Sequence, residues 1–142
     1  MADVVPISDK LRDARETVLR GNLDALARGD IEGVVRSFLH PRMELVGTGR
    51  VLEGADALRT YLEERRRAFP DQRFEVICYH HSDRAVIAEL WMSGTHSGEV
   101  HGVEATGKRF RVRMCSISEF EGDDLVNQRM YYDHGTVARQ LA

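Results

Sequence analysis

The period of the hydrophobic pattern changes once along this chain, near Pro70, and that change constrains the fold more than any single motif. Before it, apolar residues return at three- and four-residue spacing, the repeat of a helix face. After it, runs rich in Val, Ile, Phe, Tyr and Trp alternate at period two, the repeat of strands with one buried side. Helices first and a run of short-linked strands second is the order of an α+β domain. At 142 residues the chain fits one domain, residues 1–142.

In the first half, Ser8 or Asp9 can cap a helix from about Lys10 to Arg28, with Leu11, Ala14, Val18, Leu19, Leu23 and Leu26 on one face. Gly29 is placed to end it. Asp30 then caps a second, short helix carrying Ile31, Val34, Val35 and Phe38, and Pro41 ends that one. Met43 to Gly47 and Val51-Leu52 read as short strands around a Gly47-Thr48-Gly49 turn. A third helix runs from about Ala55 to Ala68, with Leu58, Tyr61 and Leu62 on its apolar side. Arg73 to Tyr79, Ala85 to Met92, Arg109 to Phe120 and Leu125 to Tyr132 read as strands. Ser82-Asp83 and Gly122-Asp123-Asp124 supply hairpin turns, and Gly94 to Lys108 forms a longer glycine-rich link. Asp133 or Thr136 starts a final helical turn through Leu141. Helices on one face of a bent sheet leave a gap where a small hydrophobic molecule fits.

The formal net charge of -3 lacks the basic excess of a nucleic-acid binder. The basic runs Arg65-Arg66-Arg67 and Lys108 to Arg113 have acidic residues nearby and read as solvated faces. No stretch approaches the ~18 apolar residues of a membrane span. The charged segment Met1 to Arg20 has no apolar core for a signal peptide, so a cytoplasmic location is expected. Cys78 and Cys115 fall in strands and are expected as buried free thiols, with no CxxC pair to suggest a metal. There is no P-loop, dinucleotide fingerprint or Gly-x-Ser-x-Gly elbow, and no cofactor is expected.

Five segments, in order, resemble the SnoaL-like polyketide cyclase family of the nuclear transport factor 2-like superfamily. They are Gly54-Ala55-Asp56-Ala57-Leu58 with Tyr61-Leu62; Ala68-Phe69-Pro70-Asp71 leading to Phe74; Ser93-Gly94-Thr95-His96-Ser97-Gly98; Gly102 to Phe110; and Tyr131-Tyr132-Asp133 with the tail Arg139-Gln140-Leu141. The resemblance implies a cone-shaped α+β barrel, three N-terminal helices packed on a strongly curved, mainly antiparallel sheet, commonly a homodimer through the sheet's outer face. It also implies an acid/base aspartate at the end of the last strand, a position matched by Asp133. The family's histidine on the preceding strand corresponds to Ser116 here.

Alternation along the last strand groups Asn127, Arg129, Tyr131 and Asp133 on one face. In an apolar pocket Asp133 would have a raised pKa and could move a proton next to a carbonyl. Alternatively it N-caps the final turn through the backbone of Gly135 or Thr136. His96 continues the parity of Val86, Ala88, Leu90 and Met92, and either polarises a carbonyl or braces the hairpin. Tyr61, Tyr131 and Ser116 are further donors, and Arg129 could pair with Asp133. Phe38, Leu58, Met92 and Met114 are expected as pocket or core wall, and Trp91, of opposite parity, at a dimer surface. His80, with the parity of Phe74, Val76 and Cys78, could meet His96 and His101, but no spacing demands a metal. The function expected first is a cofactor-free cyclase or isomerase, with Asp133 and His96 catalytic. The alternatives are a binding module, or an epoxide hydrolase or dehydratase using Asp133, Arg129 and Glu89.

Overall fold

Helix α1 spans Asp9–Arg28, opened by Ser8, whose hydroxyl accepts from the Leu11 N–H, and closed by Gly29 in the left-handed conformation (φ 68°). Asp30 caps α2 (Ile31–Arg36) by accepting from Gly33 N–H. The strands β1 (Arg42–Leu45) and β2 (Arg50–Glu53) precede α3 (Gly54–Ala68). Strands β3 (Arg73–His81), β4 (Ala85–Thr95), β5 (Arg109–Glu121) and β6 (Asp124–Tyr132) follow, and α4 (His134–Leu141) ends the chain. This computed structural model describes residues 7–142; residues 1–6, part of the stretch read as lacking a signal peptide, lie outside the described residues.

The six strands make one sheet in the order β2-β1-β6-β5-β4-β3. The last four form the antiparallel meander, and β1 joins β6 in parallel, with Glu44 opposite Arg129. The expected α+β class is what forms. The sheet is curled, but β2 and β3 remain as separate edges, so the barrel is open, and a fourth helix joins the three N-terminal ones.

One face of the sheet is buried. From β4 it receives Val86, Ala88, Leu90 and Met92, and from β5 Phe110, Val112, Met114 and Phe120, all 4% exposed or less. Val34, Leu58 and Leu62 come down from the helices onto them. Apart from the small Ala88, each such side chain fully removed from water contributes roughly 1.5–3 kcal/mol before entropy is counted.

Two bulges decide which residues face in. In β3, Val76 pairs with Leu90 but Cys78 with Glu89, so Ile77 is an extra residue. Parity therefore flips: Phe74 and Val76 lie on the inner side, then Tyr79 and His81, while Cys78 and His80 turn outward. In β6, Leu125 pairs with Phe120 but Asn127 with Glu119, leaving Val126 extra. Gln128, Met130 and Tyr132 then face in, and Asn127, Arg129, Tyr131 and Asp133 lie on the other side. Cys78 and Cys115 are free but only half-buried, because both sit on the outer face.

Buried polar groups tie the helices to this sheet. Arg15 on α1 is 2% exposed; its Nε donates to Gly122 O at 2.7 Å and its Nη1 to Asp83 O at 3.0 Å. One guanidinium thus holds both hairpin turns, with Phe120 under it at 5.4 Å. Burial pushes its pKa below the usual arginine value. Gln128 donates to Ser118 Oγ (3.2 Å) and Asn22 Oδ1 (3.4 Å), and Asn22 donates to Ser37 Oγ (2.7 Å), linking β6, β5, α1 and α2. Replacing Arg15 with methionine keeps an apolar stem but leaves those turn carbonyls without a donor. Arg15→Met should lower unfolding free energy by about 2–3 kcal/mol in urea titrations, with an unchanged slope.

Candidate functional site

The link between β4 and β5 folds back over the end of α3. Ser97 and Gly98 N–H groups both donate to Ala68 O, at 2.8 and 3.3 Å. Thr95 is pinned to Asp71, whose carboxylate accepts from its N–H (2.7 Å) and its hydroxyl (2.6 Å). The Thr95 hydroxyl holds the Asp71 carboxyl below its ordinary pKa. This clamp sets the position of the next residue, His96, which is 1% exposed.

Beneath the link lies a mostly apolar cavity of about 460 Å³, walled by Arg65, Phe69, His96, Tyr132, His134 and Val137 among others. A second cavity of about 720 Å³ shares Arg65, His101, Tyr132 and His134 with it and runs past Tyr61 toward Glu64 and Glu99. Together they form the mouth of the curled sheet. Deeper in, between sheet and helices, Met43, Met92, Met114 and Met130 close the interior to about 40 Å³.

The hydrogen bonds of His96 assign its tautomer. Nδ1 accepts from Thr106 N–H at 3.3 Å and lies 3.0 Å from Thr106 Oγ1, which itself accepts from Lys108 N–H. An Nδ1 that accepts carries no proton, so the ring proton is on Nε2. Nε2 is buried and has no partner. An unpaired buried donor is costly. His134 Nδ1 is likewise buried without a partner, and its ring stacks on Tyr132 at 4.1 Å between centroids. A Cβ on Gly47 would come within 2.3 Å of that nitrogen, so only glycine leaves the imidazole its place. Burial raises the Tyr132 phenol above its usual pKa. Arg65 lies over Phe69 at 4.6 Å and has no carboxylate partner among the described residues.

A sequence profile of the SnoaL-like polyketide cyclases matches residues 16–141. The chain belongs to the SnoaL-like polyketide cyclase family. No curated protein matches it. Among solved structures, this SnoaL-like chain is similar to a candidate polyketide cyclase from Xanthomonas campestris pv. campestris (16% identity, TM-score 0.84, covering 93% of this chain and 99% of that one). It is also similar to IdmH, a candidate polyketide cyclase from Streptomyces antibioticus (24%, 0.75, 89% and 97%). A third is a hypothetical protein with a ketosteroid isomerase-like fold from Catenulispora acidiphila, solved with trimethylamine (13%, 0.76, 87% and 90%). At these identities the likeness is one of fold.

The sequence-predicted residues of the SnoaL-like chain separate into three groups. His96 lies on the cavity wall, and Tyr61 borders the adjoining space. Leu58, Ser116, Met92 and Met114 are buried in the packed interior, and Phe38 is buried beyond it, bridging to Leu125. Arg129, Tyr131 and Asp133 correct the expectation of a shared reactive surface: they do share a face, but the bulge at Val126 makes it the outer one. Arg129 pairs with Glu119, and Tyr131 is 38% exposed. Asp133 caps α4, accepting from Gly135 N–H (3.0 Å) and the Thr136 hydroxyl (2.7 Å), with its side chain 65% exposed. The Thr136 hydroxyl first, and then the Gly135 amide, hold its carboxyl below the ordinary value, the reverse of the raised pKa expected in a pocket. The three residues of the hydrolase alternative have separate partners: Asp133 bonds Gly135 and Thr136, Arg129 pairs with Glu119, and Glu89 bonds Cys78 and His80. Of the three histidines that could meet, His96 and His101 line one cavity, and His80 is outside the sheet.

Sequence reasoning missed Arg65, Tyr132 and His134. Arg65 was read with a solvated basic run, and only its phase on α3, shared with Tyr61 and Leu62, hinted otherwise. A depressed folded pKa stabilises above the unfolded value and is lost as pH falls. The Asp133 contribution should therefore be complete above about pH 4 and fade below it. Asp133→Asn, which caps equally well without titrating, should melt like the parent at neutral pH and lose less stability on acidification, as read by circular dichroism.

Proposed function

We propose that this chain is a cofactor-free acid/base enzyme of the cyclase or isomerase kind, acting on a small hydrophobic carbonyl compound held at the mouth of the curled sheet. The observation that carries this reading is the buried, unpartnered Nε2–H of His96 on the wall of a mostly apolar cavity. A donor held in place where water is excluded stabilises an oxyanion better than water does. In this reading the His134 imidazole, which lines the cavity, takes the proton as the substrate's α C–H bond breaks. The electron pair moves onto the carbonyl oxygen, held by His96 and by the guanidinium of Arg65. The enolate carbon then attacks a second carbonyl, whose oxygen takes the proton back from His134 to become a hydroxyl, or the proton returns to another carbon of the enolate. Asp133, exposed and capping, is not the base in this scheme; it anchors the helix that carries His134.

The outer sheet face is the proposed homodimer surface, where Trp91 lies half-buried under Arg111 at 3.8 Å and Arg113 at 5.1 Å. Free cysteines fit a cytoplasmic location. Among the described residues, no helix is long and apolar enough to cross a membrane. A second reading, a binding module without turnover, is favoured by a cavity wall that, among the described residues, carries no aspartate or glutamate side chain.

The test is exchange of α-protons of a panel of hydrophobic ketones and β-keto esters in deuterated water, followed by NMR. Exchange should fall about 10²-fold in His96→Gln and persist in Asp133→Asn. Exchange undiminished in His96→Gln would overturn the scheme. Ketone binding with no exchange in the parent protein would establish the binding module instead.

A further inference from the structure

Outside the cavity, on the opposite face of the sheet, three metal-ligating side chains meet. The bulge at Ile77 turns Cys78 and His80 outward together, and Cys78 pairs directly with Glu89 across the β3–β4 ladder. Cys78 Sγ donates to Glu89 Oε2 at 3.0 Å, His80 Nε2 lies 3.0 Å from the same oxygen, and Sγ and Nε2 are 3.4 Å apart. We propose that Cys78, His80 and Glu89 form a binding site for a zinc-like divalent transition-metal ion.

The ligand set is sulfur, imidazole and carboxylate, the three donor types that bind zinc. With bonds of about 2.3 Å to sulfur and about 2.0–2.1 Å to nitrogen and oxygen, a tetrahedron places ligand atoms roughly 3.3–3.6 Å apart. The three atoms here need separate by only a few tenths of an ångström to admit an ion. Binding forms three bonds, from Sγ, Nε2 and Oε2; the thiol proton leaves to solvent, and the proton His80 Nε2 now directs at Glu89 is given up as well, leaving the neutral ring protonated on Nδ1. In the single chain water fills the fourth position, because His80 and Glu89 keep 60% and 42% of their side-chain surface exposed there. Arg113, close enough to attract Glu89, opposes the ion, and the thiolate and carboxylate charges outweigh it.

Cobalt(II) reports this site directly, through a thiolate-to-metal charge-transfer band and the intense visible bands of tetrahedral coordination. Titrated with Co²⁺ alone, the chelator-stripped protein should develop both, saturating at one ion per chain, and zinc should then bleach them. Cys78→Ser should abolish the charge-transfer band. His80→Ala and Glu89→Gln should weaken binding by about tenfold or more, since even second-layer partners cost that much. Cys115→Ser, the neighbouring outer-face thiol, should leave the spectrum intact, and circular dichroism checks that each variant is folded. No thiolate band in the parent protein, or a band that survives Cys78→Ser and disappears in Cys115→Ser, would overturn the proposal. Neither result bears on the His96 cavity, which is on the other face.

Discussion

The ladder joining β4 to β5 runs without a break from Ala85 opposite Glu119 to Thr95 opposite Arg109, and the candidate site hangs from its end. A sheet with one buried face gives each residue a side, and a slip of one residue would exchange the two sets. Here the alternation is held by Val86, Leu90 and Met92 on one strand and Phe110, Val112 and Met114 on the other. Carried one step beyond the strand, the same parity buries His96. It also puts Glu89 and Trp91 outside, beside Cys115 and Arg113 on the neighbouring strand.

His96 differs from the apolar residues of its row in the way its ring is held. Thr106 occupies Nδ1, Phe69 packs against the ring at 5.7 Å, and Asp71 clamps the preceding residue. The remaining nitrogen is left as a donor with nothing to bond. Natural cores rarely tolerate such a group without a use for it. His134 repeats the pattern from α4, and the cap formed by Asp133 is what starts that helix beside the cavity. In the proposed scheme stability and chemistry are divided between neighbours: the carboxylate holds the backbone, and the imidazole next to it lines the cavity.

Much of this was legible in the residues. Every helix and strand was found within a few positions, because long periodic runs and caps such as Ser8, Gly29 and Asp30 are local signals. The family was legible from five ordered segments. The two bulges were not. Ile77 and Val126 look like ordinary strand residues, and nothing local marks them as extra. Counting by twos from Phe74 puts His80 inside, and counting by twos from Leu125 puts Asp133 inside; each count fails at its bulge. The cavity was expected deep between sheet and helices, where four methionines instead fill the space. The cavity that does form under the β4–β5 link depends on long-range contacts such as those of Ser97 and Gly98 with Ala68, which composition does not encode.

The most direct test of this account is the ¹⁵N spectrum of the His96 imidazole, recorded free and with a hydrophobic ketone, and assigned by its loss in His96→Gln. The geometry predicts a proton on Nε2, an unprotonated hydrogen-bonded Nδ1, and a shift of the Nε2 resonance when the ketone oxygen accepts from it. A proton on Nδ1, or an Nε2 signal indifferent to a ketone that binds, would contradict it.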